Sequence, residues 1–302
     1  MPYRIDLFAI FIFLGVVQAV FLSLFFFSKE SRKNQFNVFH GLMLLSIAAC
    51  LLEIFLMYSG YIVNALHLVD FSETFGLLIG PFLYLYVFTL AYSKVKKHQV
   101  VKHLLFPIIY TLAFIPFIIS PIDVKYNAWI NSYHPNLALR PCSIDYDPWM
   151  FVITEWHTEL VLISLGFYTL LSSRIIFKSF REKTQSFWKP ETYTLRMMRD
   201  AVLQIGIFLS VLVVIKLFNK NDTGDHLFAA FAALLVYATS FSVVKNSNFL
   251  RQIPIIETRK YKGSAVSDEQ LTALAVTIQK LMQEQKLYRD SSFSLPTLAE
   301  LC

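Results

Sequence analysis

The 302-residue chain predicts an all-α membrane protein. Its core is a bundle of seven transmembrane helices with the N-terminus outside, the C-terminus cytoplasmic and a helical linker beyond the last span. Three observations carry this. The chain is 56% hydrophobic and only 16% charged, with a mean hydropathy of +0.52. A soluble domain carries about a quarter charged residues, so this chain has too little polar surface to cover a core in water. Seven apolar segments are long enough, or nearly so, to cross ~30 Å of hydrocarbon. Basic residues are concentrated in alternate loops, as they are when one side of a membrane is cytoplasmic.

The segments are 7–27, 39–57, 71–92, 104–120, 149–172, 201–217 and 227–244. The first has no small-residue cleavage site, and its basic flank of Lys29, Arg32 and Lys33 follows the apolar run rather than preceding it. It therefore reads as a span and not as a signal peptide. Lys94, Lys96, Lys97 and Lys102 follow the third segment, and Arg174, Lys178, Arg181, Lys183, Lys189, Arg196 and Arg199 follow the fifth. The alternate loops hold only Arg4, Lys125, Arg140 and Lys220. The net charge of +6 thus follows topology and is no nucleic-acid footprint.

Small residues at four-residue spacing mark helix faces that approach closely in lipid, where packing rather than hydrophobicity drives association. They are Gly15, Ala19 and Ser23; Gly76 and Gly80; Gly206 and Ser210; Ala229 and Ala233. These ridges predict a compact bundle and are compatible with a homodimer. Gly80-Pro81, Pro107 and Pro116 are expected to kink their helices. The loop 121–148 is rich in aromatic residues and is expected either to lie on the membrane surface or to lid a cavity. The loop 174–200 is expected to bind anionic headgroups as an interfacial amphipathic piece.

Ionisable residues inside spans cost several kcal/mol unless paired or wetted, so they carry the functional expectation. Glu53, Glu73, Glu155, His157 and Glu159 all fall toward the outer ends of their spans, as do Lys216, Asp225 and His226. Glu155 and Glu159 are one turn apart and share a helix face, with His157 roughly opposite. Glu53, Glu155 and Glu159 are read as lining an outward-opening polar pocket for a small cationic or hydrogen-bonding ligand. Glu73 and His157 complete the candidate set for that pocket, although Glu73, like Lys216 and His226, also reads as an interfacial residue at a helix end. No ligand spacing within the spans suits a metal, and no cofactor is expected. Phosphate loops, H-E-x-x-H and G-x-S-x-G are absent, so no enzymatic activity is predicted.

Residues 1–245 form the predicted sensor domain, 246–293 a cytoplasmic linker, and 294–302 the start of a further domain. In the linker, Ser267 and Gln270 make a capping box, and Leu271, Leu274, Ile278 and Leu281 stripe one face of a helix over 267–287. Gly80-Pro81-Phe82-Leu83-Tyr84-Leu85-Tyr86-Val87, then Lys260-Tyr261-Lys262-Gly263-Ser264, Lys286-Leu287-Tyr288-Arg289-Asp290, Ser294-Leu295 and Leu298-Ala299-Glu300-Leu301 together resemble the membrane-anchored AraC-type transcriptional regulators of Bacteroidetes. The specificity of that resemblance rests on the tail from about Lys260. It implies a one-component regulator of the bacterial inner membrane, whose partners are an envelope or small-molecule stimulus and promoter DNA. In this likeness the recognition helices lie beyond Cys302, so no residue of this chain is expected to contact DNA. Two alternatives stay open: a sensory domain feeding a histidine kinase, although no His follows His226, and a small transporter.

Overall fold

The computed structural model describes residues 3–92, 94–134, 136–142, 155–219, 224–245 and 278–279. The chain divides into two compact units, Met1–Ile256 and Glu257–Cys302. Of the second, only Ile278 and Gln279 are described, and both are helical. The linker helix over 267–287 and the domain start at 294–302 otherwise lie outside the described residues.

The first unit is built of α1 (Leu7–Phe26), α2 (Gln35–Ser59), α3 (Glu73–Tyr92), α4 (Lys97–Ile118), α5 (Ile122–Tyr133), α6 (His157–Glu182), α7 (Tyr193–Phe218) and α8 (Asp225–Lys245). All but α5 are long and apolar enough to cross a membrane. The described residues contain no strand, so the chain is a multi-pass helical membrane protein.

Local chemistry sets the ends. The Asp6 carboxylate accepts from the Ala9 amide at 3.0 Å and caps α1, satisfying one of the free amides of a first turn. Gly60, at φ +78°, closes α2 through its amide on the Met57 carbonyl; only glycine adopts that left-handed backbone freely. Two 3-10 turns, Tyr61–Asn64 and Leu66–Leu68, then lead to α3.

Successive spans run in opposite directions, so the α3–α6 and α1–α8 contacts are parallel and the other ring contacts antiparallel. α1, α2, α3, α6, α7 and α8 follow one another around a ring, with α4 on the outside of α3. Within the ring the α7–α8 seam is the thinnest. α3 is the hub: 72% of its most apolar stretch is buried, against 11% for α7. The bundle thus has one end carrying Lys29, Arg32, Lys33, Lys97, Arg181, Arg196 and Lys245, called here the basic end, and a far end carrying Asp6, Glu73, His157 and Asp225. Contacts at both ends fix that polarity. Gln35 accepts from the Val95 amide at 2.8 Å at the basic end, and Lys216 pairs with Asp225 at 2.7 Å at the far end.

The expected small-residue ridges meet different fates. A Cβ on Gly15 would fall 2.4 Å from that of Ala233, so α1 and α8 touch backbone to backbone there. Gly80 similarly admits Tyr168 and Ser164 of α6, and Ser23 donates to the Gly41 carbonyl at 2.9 Å. Gly206 meets nothing within 4 Å, and Ser210 is exposed. That ridge therefore joins no helix of the bundle.

Helix ends depart from the apolar runs where polar residues continue the backbone into the interface. α6 runs ten residues past Ser172, and α7 begins at Tyr193 rather than Ala201. The loop expected at 174–200 is therefore mostly helix, and the true connection is short. Gln185 clasps it, donating to Thr192 Oγ1 at 2.7 Å and accepting from the Glu191 and Thr192 amides at 3.1 Å. Residues 149–154 of the fifth expected span lie outside the described residues. The loop after Ser120 contains α5, whose Trp129 and Ile130 are buried against Tyr110, Phe114, Ile62 and Val69. It covers the far end of α4.

Candidate functional site

Taken residue by residue, the five predicted site residues divide. Glu53 and Glu73 are buried, His157 is half-buried, and Glu155 and Glu159 are exposed. Glu53 projects from the last turns of α2 to the start of α3, where its carboxylate accepts from the Ser72 amide at 2.8 Å. An anion at a helix N-terminus satisfies a free amide and meets the positive end of the dipole. Glu73 accepts from the Tyr110 hydroxyl of α4. The His157 Nε2 of α6 lies 3.0 Å from the Glu73 carbonyl oxygen. A carbonyl can only accept, so His157 carries its proton on Nε2. Thr74 and Thr111 share a hydrogen bond at 2.9 Å beside them. Glu53, Glu73 and His157 thus tie α2, α3, α4 and α6 together at the far end, while Glu155 and Glu159 are exposed and take part in none of these bonds.

The other far-end ionisable groups also act as ties. Lys216 and Asp225 pair at 2.7 Å and close the α7–α8 connection. His226 stacks on Tyr58 at 4.6 Å and meets Phe8 edge-on at 5.4 Å. Tyr58 donates to Asp6 at 2.6 Å, and Arg4 reaches the same carboxylate at 2.8 Å. Burial would raise the Asp6 carboxyl, but hydrogen bonds from Tyr58, the Ala9 amide and Arg4 outweigh it and hold the group below its ordinary 3.8. Burial also lowers Lys125 of α5, whose ammonium donates to the Ile118 carbonyl at 2.8 Å. That bond caps the C-terminus of α4 with a cation.

The open space lies elsewhere. A cavity of about 350 Å³ sits among α2, α3, α7 and α8, and none of the five predicted residues lines it. Its walls are apolar: Leu44, Ile47, Ile54, Phe208, Phe228 and Leu235. Its polar residues cluster toward the basic end, where Tyr193, Arg196, Asp200 and Lys245 form the mouth. Inside, Thr239 and Gln204 approach at 3.4 Å, and buried His40 lies between the rings of Phe26 and Tyr86 at 4.5 and 4.6 Å. The sequence held a signal for this face. Arg196, Asp200, Gln204 and Phe208 recur at four-residue spacing, one stripe on α7. It goes unnoticed when attention rests on charges inside the apolar runs, because Arg196 and Asp200 precede the run and Gln204 is uncharged.

Among the described residues no group of His, Cys, Asp and Glu could hold a metal ion. Fold and site together define a multi-pass helical membrane protein with an amphipathic cavity inside its bundle. Comparison with family models, with curated proteins and with solved structures found no match to this chain.

Proposed function

We propose that this chain is the membrane-embedded sensory part of a one-component transcriptional regulator of the AraC type, seated in a bacterial inner membrane. In this reading the bundle responds to a stimulus and passes the change along α8 to the C-terminal arm, which serves a helix-turn-helix domain. The observation that carries it is the odd number of spans with their charge bias. Lysine and arginine gather at the end from which the chain leaves α8 at Lys245, and by the positive-inside rule that end faces the cytoplasm. The tail pattern from Lys260 to Leu301 supplies the likeness to the regulator family.

Two measurements on the intact gene product test this. A fluorescent protein that folds only in the cytoplasm, inserted after Ser264, is expected to light, and alkaline phosphatase at the same point to stay inactive. The reverse result overturns the topology and the proposal with it. In living cells, crosslinking the N-terminally tagged protein and sequencing the DNA that accompanies it should give discrete promoter peaks. Recovery of a phosphorylated response regulator without DNA would replace the reading by that of a kinase sensor.

A further inference from the structure

The cavity among α2, α3, α7 and α8 has the chemistry of an amphiphile site. Along α8 it runs from Phe228 to Lys245, about 25 Å at 1.5 Å per residue. Spread over that length, about 350 Å³ leaves a slot one hydrocarbon chain wide, at the small end of ligand sites, ~300–1,000 Å³. The wall along that length is aliphatic and aromatic. It is interrupted at mid-depth by the Gln204–Thr239 pair, whose 3.4 Å separation is long for a hydrogen bond.

The mouth is net positive. Asp200, the only carboxylate among the described residues that line it, is taken by Arg199, which donates to it from Nε at 2.8 Å and Nη2 at 2.6 Å. Among the described residues Arg196 donates only to the Pro190 carbonyl, at 3.4 Å, and Lys245 is exposed at the end of α8. Neither has a carboxylate partner among the described residues. Two cations at the rim of a narrow apolar slot match an anionic head on one acyl tail. A guanidinium suits a carboxylate because its fork of donors can bond both oxygens.

We infer that the bundle binds a single-chain anionic amphiphile of the fatty-acid class, head at Arg196 and Lys245 and tail along α8 toward Phe208 and Phe228. The α7–α8 seam, the thinnest of the ring, is its side entrance from the bilayer. The inference stands on the cavity and not on what the C-terminal arm does.

The test uses the full chain in nanodiscs of zwitterionic phosphatidylcholine with a diazirine-bearing palmitate. Photolabelling is expected to concentrate on α2, α3, α7 and α8 and to be competed by unlabelled palmitate but not by hexadecyltrimethylammonium. Arg196→Gln with Lys245→Gln should weaken competition about tenfold, the scale of one lost charge-assisted contact. Ile205→Trp, which fills the slot, should remove the labelling with helix content unchanged. Should that variant misfold, Ala232→Phe fills the same space from α8. Uniform labelling of all lipid-facing helices, or equal competition by the cation, overturns the inference. So does loss of the site to phosphatidylglycerol added to the disc, which would make a two-chain lipid the occupant.

Discussion

Asp6 is where one residue settles several elements at once. Its carboxylate caps α1 through the Ala9 amide, accepts the Tyr58 hydroxyl of α2 and meets Arg4, whose guanidinium lies 4.4 Å from the Tyr58 ring centre. Because these bonds favour the ionised form, the folded protein holds Asp6 below the unfolded value. The sign follows from linkage. The contribution is present in full above the ordinary carboxylate value of 3.8 and is lost as pH falls through the lowered folded value. In detergent micelles, melting temperature between pH 6 and pH 2.5 should therefore fall more steeply for the wild type than for Asp6→Asn, the curves converging at the acid end. Parallel curves would show that Asp6 adds no pH-dependent stability. Residues of this kind are half legible in sequence. That Asp6 precedes an apolar run marks it as a cap, but its Tyr58 partner is 52 positions away, and nothing local selects it. Glu73 is the same lesson with more at stake. Its place at a span end reads as interfacial, yet it is buried and accepts from Tyr110 of α4. Glu155 and Glu159 share a face and are both exposed, and spacing fixes which residues share a face and not what that face meets.

Helices are more legible than their partners, and α4 shows why. Pro107 has no amide, so the carbonyl of His103 one turn earlier loses its helical acceptor role. In lipid such a carbonyl must find another donor. Here the donor is the Tyr168 hydroxyl of α6, at 3.2 Å from the His103 oxygen. Tyr168 gets that close because Gly80 of α3 leaves room: a Cβ there would lie 3.0 Å from the Tyr168 ring. Removing the hydroxyl with Tyr168→Phe should cost about 1–3 kcal/mol, the penalty for a buried acceptor left without a donor. Pro107→Ala restores the helical amide, and in that background Tyr168→Phe should cost markedly less. Equal costs in the two backgrounds, measured by denaturation in micelles, would mean that Tyr168 acts through packing alone. The prolines announce themselves in the sequence and so does each span. The helix ends do not, because hydropathy records where lipid would be favourable, not where the hydrogen-bond ladder stops. Lys178 and Arg181 continue α6 beyond its apolar run, and Lys178 reaches the ring of Tyr92 at 5.8 Å.

For the molecule as a whole, the uneven ring matters most. α1, α2, α3, α6, α7 and α8 all contribute to one continuous core, but α7 and α8 meet each other only along a thin seam and enclose the cavity with α2 and α3. α7 accordingly turns one edge to the cavity and the adjoining edge outward, Ile207 lying only about 60° round the helix from Gln204. Arg196, Asp200 and Gln204 line the cavity, while Leu203, Ile207 and Val214 are exposed on the outer surface, where a bilayer would lie. Gln204 and Ile207 are about 4.5 Å apart along the helix axis, so depth alone would treat them alike. A cavity with a charged mouth at the basic end should admit water to one face and not to the other. In a background with Cys50, Cys142 and Cys302 replaced by Ser, a membrane-impermeant methanethiosulfonate should modify Asp200→Cys within minutes and Gln204→Cys more slowly, whereas Ile207→Cys and Val214→Cys stay unmodified. Reaction should occur in inside-out vesicles and not in right-side-out ones, because the mouth lies at the end rich in lysine and arginine. Adding palmitate should slow modification of Gln204→Cys and leave Asp200→Cys, nearer the rim, less protected. If Ile207→Cys reacted as fast as Gln204→Cys, α7 would have no dry face and the ring would not close. If both cavity positions stayed inert from either side, the mouth at Arg196 and Lys245 would be shut, and a ligand could enter only through the seam.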